Sequence, residues 1–490
     1  MKPPRFLCTV CGELRIKFRS RCPSCGNYST LITIEQARAR GLALPIGMGD
    51  GAGKRPHYMT TPIVGLNEVA SSGPGIVRGI CYLFTGDPGA GKSTLLIQTA
   101  VHLSRRRRVI YAFLEPGEDF IGALSMRLGL DMSHVRGVTA ESVDELIERV
   151  AGAEIAILDS LQGLSQRSGE PIDEIAHKLA EHAHETGTTW LLIGHINKDG
   201  DVSGVMATEH WVDATLHLSR EYGQGLRVLS SGKNRYGPER VRFLRMTEDQ
   251  GLVDVPDASS HLLADRVAGE IGSCVGVVLV EGWKGTAAKA GTAPVLVEVQ
   301  ALTSIIETNE KTGKLAHPPR VVVSGIPADR VRLVLEVLAQ RADVDTSDVD
   351  VTVNVCGDLD VSDRGLEAPV ALAIVSAIKG VPLPADMCAW GEIDLTGRLR
   401  GVVDTKARAA EAKTAGFANV VSSGRLIDAI STLIDSQSSR RDNPKRRDRK
   451  PAADARKPDA RRRRAVPVPA DTGRVRKKGA RGRVRLAKAS

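Results

Sequence analysis

Between residues 61 and 265 short, unbroken apolar runs alternate with stretches in which apolar positions recur every three or four residues. Runs without polar interruption predict strands buried on both faces, and the helical period between them predicts helices that cover the sheet. The strands expected are 80–85, 109–114, 154–158, 189–193 and 214–218, followed by 226–230 and 242–246 as an antiparallel extension. Helices are expected between them, among others at 92–104 and 143–151. A second alternating region spans about 270–435, with strands at 274–281, 295–301 and 350–355 and helices at 328–341, 368–379 and 406–415. Residues 31–60, which include Gly47, Gly49, Gly51, Gly53 and Pro56, read as a linker without a stable fold. No tandem repeat of solenoid period is present.

At 490 residues the chain exceeds what one hydrophobic core usually organises, in keeping with two to four domains. Charge divides the chain sharply. Residues 440–490 carry 21 Lys/Arg against 5 Asp/Glu, and the rest carries 46 against 53. So basic and apolar-poor a tail, taken as 436–490, is expected to be disordered and to meet a polyanion, with a solvated solubility extension as the alternative. No 18-residue apolar run and no leader-like N-terminus is seen, so a cytoplasmic protein is expected. Four of the eight cysteines, Cys81, Cys274, Cys356 and Cys388, are scattered among apolar residues and read as core.

The candidate chemistry begins where the 80–85 run ends. Gly86, Asp87, Pro88, Gly89, Ala90, Gly91, Lys92 and Ser93 fit G-x-x-x-x-G-K-[ST] between a strand and a helix, the context that a phosphate-binding loop requires. Glycines let successive N–H groups face an anion, and the helix N-terminus adds partial positive charge. Lys92 is then the β/γ-phosphate contact and Ser93 a magnesium ligand, with Thr94 beside them. The run 154–158 ends in Asp159, placed to hold magnesium directly or one shell removed; a helix N-cap is the alternative. Glu115, after the run 109–114, is the candidate to polarise the attacking water, or else a surface acid of the 115–119 turn.

Cys8 and Cys11, then Cys22 and Cys25, form two C-x-x-C pairs, each followed by glycine, which is the spacing of a closed, structural zinc site over residues 1–30. Redox chemistry is the alternative. Arg15, Lys17, Arg19 and Arg21 beside it are either a nucleic-acid contact or a solvated face.

The order of these motifs resembles the bacterial RadA (Sms) family. The resemblance covers about residues 6–435 and rests on Cys22-Pro-Ser-Cys25-Gly26, the phosphate loop, Asp159-Ser160, the stretch from Leu192 to Gly200, Glu209-His-Trp-Val-Asp213 and, most specifically, Lys233-Asn-Arg-Tyr-Gly237. It implies an α/β fold class: an N-terminal zinc ribbon, a RecA-like P-loop ATPase core at 61–265, a Lon-protease-like α/β domain at 270–435, and a disordered basic tail. It further implies a homo-hexameric ring on single-stranded or branched DNA that hydrolyses ATP with Mg²⁺, carries Zn²⁺, and drives branch migration beside a RecA-type recombinase. Lys233 and Arg235 would reach the neighbouring subunit's nucleotide, and His195 and Lys198 would lie near the γ-phosphate or face DNA. In the last domain Glu367 stands where a Lon-type protease has its serine, although Lys406 matches the dyad lysine, so proteolysis is not expected. Lys379, Arg398 and Arg400 are DNA-contact candidates there, and Pro116 departs from the family at the residue after Glu115. Two other readings stay in play, an ATP-dependent protease and a non-motor ATP switch that recruits partners.

Overall fold

Apolar runs of this kind need burial on both faces, and the computed structural model, which describes residues 5–40, 56–114, 118–194, 203–220, 223–283, 290–310 and 313–431, provides it. The N-terminal module is a three-stranded antiparallel sheet of β1 (Phe6–Cys8), β2 (Leu14–Arg15) and β3 (Leu31–Thr33), followed by α1 (Ile34–Ala39). This corrects the expectation of an unstructured 31–60 linker. Leu31 pairs opposite Cys8 and is buried in one small cluster with Cys8 and Cys22, so the module needs this strand to cover its cysteines. Tyr58–Met59 also pairs, with Ile76–Val77. The glycine-rich part of the expected linker lies outside the described residues.

The central sheet contains nine strands: β4 (Cys81–Gly86), β5 (Val109–Phe113), β6 (Val135–Val138), β7 (Ile155–Asp159), β8 (Thr189–Ile193), β9 (Ala214–Leu218), β10 (Leu226–Asn234), β11 (Val241–Thr247) and β12 (Gly251–Asp254). Their spatial order is β12-β11-β10-β9-β4-β8-β7-β5-β6. The six strands from β9 to β6 are parallel, and β10 to β12 add an antiparallel extension. All residues of β4, β7 and β8 are buried, as strands covered on both faces must be. One face is covered by α2 (Lys92–Ser104) and α3 (Glu118–Arg127). The other carries α4 (Val143–Arg149), α5 (Leu161–Ser168) and α6 (Ile172–Thr186), with α7 (Ser203–Trp211) beside α6. In α6 the buried positions Ile175, Ala176, Leu179, Ala180 and Ala183 form a single stripe, and Gly187 ends the helix in the left-handed conformation.

The following region is built on a six-stranded mixed sheet, β15-β16-β14-β13-β17-β18, from β13 (Ser273–Glu281), β14 (Thr292–Ile305), β15 (Val321–Ser324), β16 (Val349–Val355), β17 (Met387–Ala389) and β18 (Asn419–Val421). Helices α8 (Ala328–Arg341), α9 (Glu367–Lys379) and α10 (Thr405–Thr414) accompany it. Its core is dominated by valine, leucine and alanine, which a chain with 3% aromatic residues must rely on. No helix among the described residues is long and apolar enough to cross a membrane. The tail from 436 onward lies outside the described residues.

Strand β4 ends at Gly86, whose φ of 136° is a left-handed-side conformation and where an added Cβ would lie 2.0 Å from the Leu218 carbonyl oxygen. At Gly89, φ is 75° but an added Cβ meets nothing within 4 Å. Gly86→Ala should therefore destabilise the protein by about 3 kcal/mol or more, and Gly89→Ala by only about 1 kcal/mol. Chemical denaturation of the two variants checks the difference.

Candidate active site

Parallel pairing brings the C-terminal ends of β4, β5, β7, β8 and β9 to one edge of the sheet, and the loop from Gly86 to Gly91 curls there into the first turn of α2. Lys92 is the first residue of that helix. It is 5% exposed, and its Nζ donates to the carbonyl oxygens of Gly86 (2.7 Å) and Asp87 (3.0 Å). Burial holds its pKa below the ordinary lysine value, opposed by the charges of Asp87 and Asp159. Loop lysine and β7 carboxylate thus belong to one electrostatic site. Asp159, 2% exposed, accepts a 2.8 Å hydrogen bond from the Tyr111 hydroxyl, whose pKa burial and this carboxylate push far up. Ser160 caps α5 by accepting from the Gly163 amide at 3.2 Å. Ser93 and Thr94 follow Lys92 in the first turn, Ala90 is buried, and Asp87, Pro88 and Gly89 are exposed.

Several residues hold the loop that sequence reasoning did not find. Arg227 on β10 donates to the carbonyl oxygens of Gly89 (3.0 Å) and Ala90 (2.5 Å), and Asp87 accepts from the Arg220 amide at 2.8 Å. A cleft of about 520 Å³ opens beside the loop, lined by Gly89, Gly91, Lys92, Ser93, Thr94, Ala123, Leu124, Arg127, Arg227 and Met246. Under the loop, Thr85 Oγ1 lies 3.1 Å from His217 Nδ1, and the Trp283 ring stacks on that imidazole at 5.1 Å. Burial pushes the His217 pKa down to about 4, so the ring is neutral beside the lysine at ordinary pH. A lone arginine or histidine on a strand carries no motif, so neither had a local signal to follow.

Lys233 and Arg235 are not brought to this site within one chain. Asp213 accepts from the Cys81 amide at 3.0 Å, so it marks the N-terminal end of β4, and Arg235 Nη1 lies 3.3 Å from its carboxylate. Five residue steps of strand, roughly 17 Å, separate that end from Gly86. Lys233 Nζ donates to the carbonyls of Glu209 (2.6 Å) and His210 (2.9 Å). Burial, then the charge of Arg235, lowers its pKa. Glu115, Pro116, His195 and Lys198 lie outside the described residues.

The four module cysteines converge. Cys8 and Cys25 Sγ are 3.7 Å apart, as are Cys11 and Cys22 Sγ, and all four sulfurs lie within 4.8 Å of one another. Zinc–sulfur bonds of about 2.3 Å in a tetrahedron require sulfurs about 3.8 Å apart, so this donor set fits zinc. Gly12 and Gly26 turn the backbone after each pair with φ of 72° and 75°.

In the second region Glu367 begins α9 at 4% exposure, is paired with Arg330, and accepts from the Ile393 amide at 2.7 Å. Ser376 donates to the Val381 carbonyl (2.6 Å) and accepts from the Gly272 amide (2.8 Å), while Ser362 and Lys406 are exposed. Here the carboxylate is a structural anchor, and the hydroxyl of Ser376 is committed to the backbone. Arg400 pairs with Asp394, and Lys379 and Arg398 are exposed.

A protein-family model described as subunit ChlI of Mg-chelatase matches residues 319–424. Among curated proteins, the chain is 32% identical over 441 residues to a DNA repair protein RadA of Brucella abortus, covering 84% of this chain and 90% of that protein. The corresponding protein of Pseudomonas aeruginosa is 30% identical, with 84% and 91% covered, and that of Escherichia coli 29%, with 85% and 91%. Among solved structures, a KaiC-like protein of Pyrococcus horikoshii is similar over 41% of this chain and 100% of its own, at 19% identity and a TM-score of 0.35.

The cysteine geometry makes a stoichiometric prediction. Purified protein should carry one zinc per chain by atomic absorption, and Cys22→Ser should carry close to none while nucleotide affinity is retained.

Proposed function

The chain belongs to the RadA family of DNA repair proteins, and on that premise we propose that it is an ATP hydrolase that couples nucleotide turnover to movement on DNA in repair and recombination. The observation that carries the reading is the shared site of Lys92 and Asp159, a buried lysine within the phosphate loop and a buried carboxylate at the end of β7. The amides of Gly86 to Ser93 and the α2 N-terminus would cradle the phosphates, and Ser93 with Asp159 would hold magnesium. Bound magnesium supplies neutralisation of charge on the β- and γ-oxygens. Glu115, two residues after β5 in the sequence, is the proposed base that orients water. Arg127, Leu124 and Met246 wall the cleft beside the loop, where the rest of the nucleotide would lie.

Lys233 and Arg235 are assigned to the neighbouring subunit's nucleotide, because their place at the far end of β4 leaves them no route to their own. Cations delivered in trans stabilise charge spreading over the transferred phosphoryl and make turnover conditional on assembly. A closed homo-hexameric ring around single-stranded DNA is the assembly that this division of labour fits, with branch migration as its output and a RecA-type recombinase as partner. The Lon-protease-like region is read as a non-proteolytic scaffold, since Glu367 has no hydroxyl for Lys406 to activate. The basic tail adds DNA affinity through phosphate contacts in this reading.

Lys92→Ala and Arg235→Ala should each lower ATP turnover by about 10³-fold or more. Subunits of the two variants, mixed, should regain part of the wild-type rate, measured as phosphate release with single-stranded DNA present. A mixture as inactive as its components would remove the trans assignment.

A further inference from the structure

The last turn of α7 and the segment that joins it to β9 together hold both trans-acting cations. The carbonyls of Glu209 and His210, in that last turn, accept from Lys233 Nζ at the C-terminal end of α7, where the helix dipole favours a positive charge. Three residues later Asp213 receives Arg235 twice, at its carboxylate from Nη1 (3.3 Å) and at its carbonyl from the backbone amide (3.1 Å). The carboxylate itself is not free to turn. It is 2% exposed, and its second oxygen accepts from the Cys81 amide (3.0 Å) and lies 2.9 Å from His184 Nε2 on α6. Arg235, in contrast, is 54% exposed, and its Nη2 and Nε have no partner among the described residues. Two of the three Lys233 ammonium donors are used. Each cation is thus anchored on one side and offers donors outward, from a base that is part of the sheet.

We propose that Asp213 is a positioning residue for hydrolysis at the neighbouring subunit's site: its carboxylate, braced by His184 and the Cys81 amide, sets the direction in which Arg235 leaves the sheet. The adjoining last turn of α7 sets Lys233, so the two cations are presented as a unit. The inference rests on the trans reading above. A flexible arginine reaching across an interface delivers its donors only if its base is fixed, and a displacement of about 1 Å at such a contact costs roughly 10²-fold in rate.

The test uses full-length protein. Asp213→Asn keeps the shape of the side chain and removes its charge; kcat for ATP should fall roughly 10²-fold with KM nearly unchanged, since the phosphate loop lies at the other end of β4. Mixed with Lys92→Ala subunits, the variant should regain turnover, because one partner supplies intact loops and the other intact cations. A role confined to folding, or to the variant's own loop, predicts no recovery. Lys92→Ala mixed with Arg235→Ala runs in parallel. Recovery there without recovery for Asp213→Asn overturns the positioning role and leaves the trans reading standing, and no recovery in either mixture overturns both. Should Asp213→Asn fail to assemble, His184→Ala decides the matter in the same mixtures. It removes one brace at a half-exposed position and should lower kcat roughly tenfold; an unchanged rate counts against the proposal.

Discussion

The pairing of β4 with a parallel strand on each side is the constraint on which the other placements depend. Because β8 and β9 run alongside it in the same direction, the loop that follows Gly86 opens at the edge where β7 delivers Asp159 and β5 ends. The same pairing fixes the opposite edge, where the Cys81 amide meets Asp213. One sheet therefore keeps a phosphate-binding end and a cation-presenting end apart by the length of a strand. The backbone amides of a sheet cannot slip by one residue without turning every side chain to the wrong face, so this separation is rigid.

That rigidity gives the antiparallel extension its role. Strand β10 carries Arg227 near one end, strapped to the loop carbonyls, and Lys233 and Arg235 at and just beyond the other. A single strand thus touches the phosphate loop and reaches toward the cation-presenting edge. The second region reaches into the same sheet through Trp283, stacked on His217 beneath Thr85. Within that region the buried Glu367 carboxylate is paired with Arg330 and held by the Ile393 amide, so it serves the packing of α9.

The parts legible in the sequence are those with local signals. The strands Thr189–Ile193 and Ala214–Leu218 and the helices Lys92–Ser104 and Ala328–Arg341 match the expected bounds, because continuous apolar runs and a P-loop followed by a 3.6-residue period leave little choice. The convergence of the four cysteines is equally readable, since two C-x-x-C pairs at this spacing favour one shared site over redox chemistry. The strand Val135–Val138 was not. It is short, lies at the sheet edge, and exposes Arg136 and Gly137, so it has no buried pattern to reveal it. Residues 31–39 depart from the expected linker because the short run Leu-Ile-Thr finds its strand partner more than twenty residues earlier, beyond any local pattern. Arg227 and His217 act through contacts more than 100 residues distant in sequence, and Asp213 is seated on the equally distant Cys81 amide, which no local pattern encodes.

In the proposed assembly Lys92 and Asp159 of one chain share a nucleotide with Lys233 and Arg235 of the next. The decisive experiment is a structure of the full-length assembly with magnesium and a non-hydrolysable ATP analogue. Lys92 Nζ, and the metal held by Ser93 and Asp159, should lie on the β/γ-phosphates, with both cations of the adjacent subunit within hydrogen-bond reach of the γ-phosphate. Phosphates bound away from Lys92 and Asp159, or cations of the neighbour that face solvent in the closed assembly, would rule this shared site out.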